Sequence, residues 1–75
     1  MNDREIIQWA VKGIASEISR QEKSLKRDLL LMQSHRKGIN NNINPDKVRE
    51  RIENRRAEIE LLSRKKAFLI VRLDE

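Results

Sequence analysis

A chain of 75 residues forms one small domain at most, and domains of this size bury only about 60% of the surface that their unfolded chains expose. The chain has no cysteine and one histidine, which excludes disulfides and histidine- or thiolate-rich metal sites, so no metal or cofactor is expected and oligomerisation is the remaining source of extra stability. Its charged fraction is 39%, but regularly spaced Ile, Leu and Val, with two glycines and one proline, indicate long helices rather than disorder.

The first predicted element is a helix over residues 3–37. Asn2 is its expected N-cap, with Glu5 three residues later in a capping box. Gly13 interrupts the helix at a cost of about 1 kcal/mol relative to Ala, which need not break it. Gly38 is expected to end it in a left-handed conformation. The last turn carries cations that favour the negative end of the helix dipole: His35, Arg36 and Lys37.

An Asn-rich loop over residues 38–44 is predicted to reverse the chain before a second helix over residues 45–73. Asn44 is the expected N-cap, and Pro45 suits the first helical position. A connection this short joins antiparallel neighbours. Residues 1–75 are therefore predicted to form a single all-α domain, an antiparallel two-helix hairpin of coiled-coil type. An alternative makes residues 67–73 a strand because they are rich in β-formers, although they have no second strand to pair with.

The apolar residues of the first helix repeat as well at eleven residues as at seven, which favours a nearly straight helix. A strict seven-residue register from Ile7 and Ile14 places Asp28 at the interface between the helices. One hypothesis pairs Asp28 with Arg55 there, fixing the register at some cost in stability. The favoured alternative rotates the helix slightly, so that Leu29 takes the interface position and Asp28 is solvated.

The end of the hairpin that holds both termini is rich in apolar residues. Folding the chain about a loop centred near Asn41 places Trp9 beside Leu73 and Ile14 opposite Phe68. Two helices cover only one side of each other, so the remainder would stay exposed, and monomers rarely expose so large an apolar patch. The hairpin is therefore predicted to form a homodimer, a four-helix assembly. The residues expected to mediate self-association are Ile7, Trp9, Val11, Ile14, Phe68, Ile70 and Val71.

No pattern in the sequence indicates an enzyme. The chain lacks Cys and Tyr, no glycine-rich loop follows a strand, and its carboxylates lie among arginines on helices. His35 at a helix end is expected to be a surface cation rather than a catalytic or metal-binding group. No catalytic residue is therefore expected. The predicted function is that of a small interaction protein, an adaptor, regulator or inhibitor that binds a larger protein partner.

The alternative function is nucleic-acid binding. The net charge is +5, and the basic residues concentrate around the middle and the loop end of the hairpin. Acids are interleaved with these bases and no aromatic residue lies among them, so such binding would be driven by the phosphate backbone and would depend strongly on salt. The residues expected to contact a protein partner or nucleic acid are Arg36, Lys37, Lys47, Arg49, Arg51, Arg55 and Arg56.

The sequence also gives expectations about membrane association and cellular location. The longest apolar run, residues 67–71, is far shorter than the roughly 20 residues of a membrane-spanning helix. The N-terminal residues carry acids and lack the basic start and apolar core of a signal peptide. A surface-lying membrane helix is also unfavoured, because the first helix accounts better for the apolar positions of the second. Without cysteine, the expected location is cytoplasmic.

Overall fold

The computed structural model describes residues 2–38 and 43–74. They form two helices that pack against each other, α1 (Asp3–Arg36) and α2 (Pro45–Leu73). The prediction of an all-α chain with two packed helices is confirmed. α1 ends one residue earlier than expected, and α2 has the expected bounds. The predicted turn at residues 39–42 lies outside the described residues.

The helix ends follow the signals in the sequence. Asn2 Oδ1 accepts a hydrogen bond from the Glu5 N–H at 2.9 Å, which satisfies a donor that has no partner within α1. Asn44 Oδ1 does the same for α2, accepting from the N–H of Asp46 at 3.0 Å. Gly38 has a φ of 72°, in the left-handed region that side chains with a Cβ resist. α1 therefore ends beside a position whose left-handed conformation glycine adopts at low energetic cost.

The predicted strand alternative for residues 67–73 is wrong, because α2 continues through Leu73. The Asp74 N–H closes the helix by donating to the carbonyl oxygens of Ile70 and Val71, at 3.3 and 3.2 Å. A helix satisfies these backbone groups within the segment, whereas a lone strand would leave them without partners.

The two helices are antiparallel and form a rod with Cα extents of 54 × 15 × 14 Å. Met32, near the end of α1, packs with Val48 and Ile52 near the start of α2. Asp28, one turn earlier in α1, contacts Arg55, one turn later in α2. Along the interface, residue numbers therefore decrease in one helix as they increase in the other, which is the antiparallel arrangement of a hairpin.

Burial in both helices follows a repeat of seven residues, with alternating steps of three and four. We call these positions the seam, and within Pro45–Leu73 every residue outside the seam is exposed. The seam positions of α1 are Ile7, Val11, Ile14, Ile18, Gln21, Leu25, Asp28, Met32 and His35. Those of α2 are Pro45, Val48, Ile52, Arg55, Ile59, Leu62, Lys66, Leu69 and Leu73.

The expected placement of Leu29 in the interface is wrong. Asp28 is 6% exposed, whereas Leu29 is 40% exposed. Burial along α1 follows the seven-residue repeat, and in that register position 28 rather than position 29 faces α2. Asp28 can occupy the seam because α2 supplies cationic partners for it.

The buried core is small. Within the described residues the buried apolar side chains are Met32, Val48, Ile52 and Leu62, and no large side chain is completely enclosed. Leu25, Leu31 and Ile43 pack partly against this core. All of these residues except Leu62 lie in the half of the hairpin near the loop. In the half that holds the termini, the seam residues other than Leu62 are only partly buried.

The helices have two flanks, one on each side of the seam. Residues that directly follow seam positions form the trailing flank, where Leu29 and Arg36 of α1 meet Arg49 and Arg56 of α2 around one groove. Residues that directly precede seam positions form the leading flank, where Arg51, Asn54 and Glu58 line a second groove. The periodicity extends these assignments along both helices.

We predict that Leu62→Ala lowers the free energy of unfolding by about 2 kcal/mol, because it removes one of the few buried side chains. The matched control is Leu30→Ala, the same change at an exposed position of α1, which should cost about 0.5 kcal/mol or less. Urea denaturation at low protein concentration measures both. Equal losses would contradict the seam assignment.

Candidate interaction surfaces

A polar network crosses the seam at Asp28. Arg55 Nε donates to Asp28 Oδ2 at 3.1 Å, and Arg51 Nη2 lies 3.1 Å from the other carboxylate oxygen, Oδ1. Arg55 Nη1 also donates to Gln21 Oε1 at 3.0 Å. Gln21 in turn donates from Nε2 to Glu17 Oε1 at 3.0 Å. The hypothesis that Asp28 pairs with Arg55 is therefore correct in its geometry.

This network limits what Arg51 and Arg55 can offer to an outside partner. The Arg55 side chain is 32% exposed and bridges two polar residues of α1. Arg51 is half exposed but shares the same carboxylate. Both were predicted as contact residues for a partner, and the structure gives them contacts within the chain. Every buried side-chain N or O atom in the described part of the chain has a hydrogen-bond partner.

The predicted self-association residues fall into two groups. Ile7, Val11 and Ile14 are seam positions, half buried between α1 and α2. The other four, together with Ile6, which was not among the predicted residues, are exposed, and we call these five the terminal patch. Its members are Ile6, Trp9, Phe68, Ile70 and Val71. Trp9 is 71% exposed and Phe68 is 63% exposed, although large aromatic side chains are normally well buried.

The terminal patch surrounds the end of the hairpin rather than covering one face. Ile6 and Phe68 directly precede seam positions and therefore lie on the leading flank, whereas Ile70 lies on the trailing flank. Trp9 and Val71 are on the outer faces of their helices. Arg72 stacks over the Phe68 ring, 5.7 Å from its centroid, yet leaves most of the ring exposed.

Gly13 lies on the leading flank, seven residues after Ile6. A Cβ at this position would meet nothing within 4 Å, so no contact inside the chain requires glycine. Glycine within a helix costs about 1 kcal/mol relative to Ala. Leu61 is also exposed on this flank, seven residues before Phe68. The sequence-based list omitted Ile6 and Leu61, although the seven-residue spacing to Gly13 and Phe68 would have identified them.

The net charge is confined to the loop half of the hairpin. Residues 26–56 carry nine Lys or Arg and four Asp or Glu, which gives the full +5 of the chain. The remaining residues carry eight of each and are formally neutral. The apolar terminal patch therefore lies in a neutral half, and the basic residues lie in the other.

The trailing flank of the loop half forms a groove of about 440 Å³, which we call the arginine groove. Its lining consists of Leu29, Met32, Gln33, Arg36, Arg49, Ile52, Glu53 and Arg56. Arg36, Arg49 and Arg56 belong to the predicted contact set and come together here from both helices. Lys37 and Lys47 are exposed near the loop but do not line the groove.

Two further properties concern membranes and metals. Neither α1 nor α2 combines the length and apolar character that crossing a membrane requires. Within residues 2–38 and 43–74, no three His, Asp or Glu side chains converge in a way that would hold a metal ion. His35 occupies a half-buried seam position, and its carbonyl oxygen accepts from the Gly38 N–H at 3.0 Å.

We predict that Asp28 and Arg55 are energetically coupled. Asp28→Ala should lower the free energy of unfolding by about 2 kcal/mol, because it leaves a half-buried guanidinium without its carboxylate. A double-mutant cycle with Arg55→Ala should give a coupling energy of about 1 kcal/mol. The control cycle uses the exposed pair Glu60 and Arg64, 2.6 Å apart, which should give about 0.4 kcal/mol. A coupling no larger than this control would contradict a structural role for the seam pair.

Searches with this chain found no matching protein-family model, no matching curated protein and no matching solved structure. Function is therefore inferred from the chain's own surfaces. These are the terminal patch in the neutral half and the arginine groove in the basic half.

Proposed function

We propose that this chain is a non-enzymatic interaction protein that dimerises through its terminal half and presents its basic loop half to a larger protein, as an adaptor, regulator or inhibitor. The observation that carries the proposal is the exposed terminal patch on a hairpin whose own core is small. Several large exposed apolar side chains at one end of a small protein are typical of an interaction site.

The exposed area supports a second copy as the first partner. The chain exposes 6050 Å², whereas a compact monomer of 8.9 kDa exposes about 4,800 Å². The difference of about 1,200 Å² exceeds the roughly 800 Å² that each partner buries in a standard interface. Burying about 800 Å² per chain in a dimer would lower the exposure to about 5,250 Å², closer to that of a compact protein.

The charge distribution favours contact between terminal halves. Two loop halves, each with a formal charge of +5, repel each other, whereas two neutral halves do not. In the proposed dimer the terminal halves pack side by side as four helices, and the loop halves project from the assembly. This arrangement covers the members of the terminal patch on the leading flank, Ile6 and Phe68, and leaves the arginine groove accessible.

The leading flank is the proposed contact face. It carries Ile6 and Phe68 beside Gly13, where the backbone of α1 has no side chain to hold a neighbouring helix away. The energetic cost of a helical glycine has no compensation inside the chain, and close approach by a second chain would supply it.

Binding to nucleic acid is the less favoured function. Arg49, Arg51 and Arg55 of the loop half already have carboxylate partners within the chain, at 3.6, 3.1 and 3.1 Å. A carboxylate beside a guanidinium weakens its attraction for a phosphate. The basic half therefore offers less charge to a phosphate backbone than its count of arginines indicates.

We predict that the wild-type chain sediments as a dimer and that the Trp9→Asp, Phe68→Asp variant sediments as a folded monomer. The substitutions place one charge on the leading flank, at Phe68, and one on the outer face of the terminal patch, at Trp9, but remove no seam residue. The control variant, Leu30→Asp with Ala57→Asp, adds the same charge at exposed positions outside the terminal patch and should remain dimeric. Circular dichroism checks the helical content of each. A monomeric, folded wild type would refute the dimer.

We predict that Gly13→Leu weakens the dimer at least about tenfold, because a bulky side chain would clash with the approaching helix. The isolated hairpin should stay folded, since the new Cβ meets nothing within 4 Å. Ser16→Leu, an exposed position three residues along α1, is the control and should leave the dimer intact. Sedimentation over a concentration series measures both. If general hydrophobicity drove association, Gly13→Leu would strengthen the dimer instead.

A further inference from the structure

We infer that the arginine groove binds an acidic amphipathic helix presented by the partner protein. This inference deepens the proposed function, on which it rests, by giving the partner's contact segment a chemical character. The groove combines an apolar floor with a cationic rim, and each of these two features constrains what can occupy it.

The floor is made of apolar side chains from both helices. Met32 and Ile52 are buried seam residues whose edges line the groove, and Leu29 is 40% exposed beside them. An exposed leucine on a flank contributes little to the hairpin itself. Covering it requires an apolar surface, such as the Leu or Ile stripe of an amphipathic helix.

The rim is made of arginines on both sides of the floor. Arg36 belongs to α1, whereas Arg49 and Arg56 belong to α2, one heptad apart. Arg49 also lies 3.6 Å from Asp46 of its own helix. Arg36 and Arg56 are therefore the rim arginines without a carboxylate partner among the ion pairs described above. A helix lying along the floor therefore has guanidinium groups beside both of its edges. Acidic residues flanking the apolar stripe would pair with them, and Arg binds carboxylates in a planar, two-pronged geometry.

The same features disfavour the other occupants. Two copies that met groove to groove would bring their basic loop halves together, and these would repel each other, whereas the neutral terminal half supplies no excess of acids to match the arginines. A nucleic-acid backbone would match the rim but would leave the apolar floor uncovered. An acidic amphipathic helix satisfies both, and the groove lies away from the proposed dimer face.

Glu53 allows a test in which the inference predicts the direction of the change in affinity. Among the described residues that line the groove it is the only acidic one, and it lies between Arg49 and Arg56 along α2. Its carboxylate opposes the approach of an acidic ligand. Removing this charge should therefore increase the affinity for an acidic helix. If binding did not depend on charge, the affinity would be unchanged.

The experiment uses a fluorescein-labelled amphipathic peptide of about 18 residues, built from Leu, Ala and Glu with leucines at helical spacing. A matched peptide carries Lys in place of Glu, and a short DNA duplex is the third probe. Fluorescence anisotropy is measured on the full chain at low and physiological salt. We expect saturable binding of the Glu peptide, and weaker binding of the Lys peptide and of the duplex.

Three variants locate the site. Arg36→Ala with Arg56→Ala should weaken Glu-peptide binding at least about tenfold, whereas Arg4→Ala with Lys12→Ala, which removes the same charge from the terminal half, should weaken it no more than about twofold. Leu29→Ala should weaken it several-fold without unfolding the hairpin, and Glu53→Gln should strengthen it about twofold. Equal losses in the two double variants, or a Glu peptide that does not bind, would overturn the inference.

The duplex and the monomeric variant separate the remaining explanations. If the duplex binds more tightly than the Glu peptide and loses affinity in Arg36→Ala with Arg56→Ala, the groove is a phosphate site and the inference is wrong. The peptide titration is repeated on the monomeric Trp9→Asp, Phe68→Asp variant. Because dimerisation is read by sedimentation and groove binding by anisotropy, failure of one is not mistaken for failure of the other.

Discussion

A pair of helices can bury only one narrow stripe on each, and this constraint governs the rest of the molecule. The stripe is the seam, with alternating steps of three and four along both α1 and α2. Every other apolar residue must lie on a flank or an outer face, where the chain itself covers it only in part or not at all. The exposed leucines, the exposed Trp9 and Phe68, and the two grooves beside the seam all follow from a fold that is one layer too thin to enclose them.

The polar residues of the seam act on register rather than on stability alone. Asp28 receives Arg51 and Arg55 from adjacent turns of α2. A slip of one heptad would place Asp28 opposite Val48 or Leu62, neither of which can satisfy a carboxylate. An unpaired buried charge costs several kcal/mol, whereas an apolar pair at the same place would tolerate the slip. A repetitive aliphatic seam lacks this specificity, and we expect the network to supply it.

The sequence predicted what local chemistry decides. Asn2, Asn44 and Gly38 act over a few residues, so the helix ends and the antiparallel arrangement were readable from them. The sequence left the position of Asp28 open between the interface and solvent, because its partners lie more than twenty residues away in α2 and the apolar Leu29 is its neighbour. The arginine groove was not predicted from the sequence, for the same reason. Its arginines were named individually, but only the packed helices place Arg36 next to Arg49 and Arg56.

The uneven distribution of buried residues has a consequence for local stability. Met32, Val48 and Ile52 cluster near the loop, whereas no residue of α1 before Asp28 is buried. In an isolated chain, the backbone amides of the terminal half would open to solvent and exchange their hydrogens much sooner than those near the loop. The hairpin would fray from its two ends while its closed end stays intact. A partner bound at the termini would slow hydrogen exchange in that half. Binding there would therefore determine how far along the hairpin the helices remain protected.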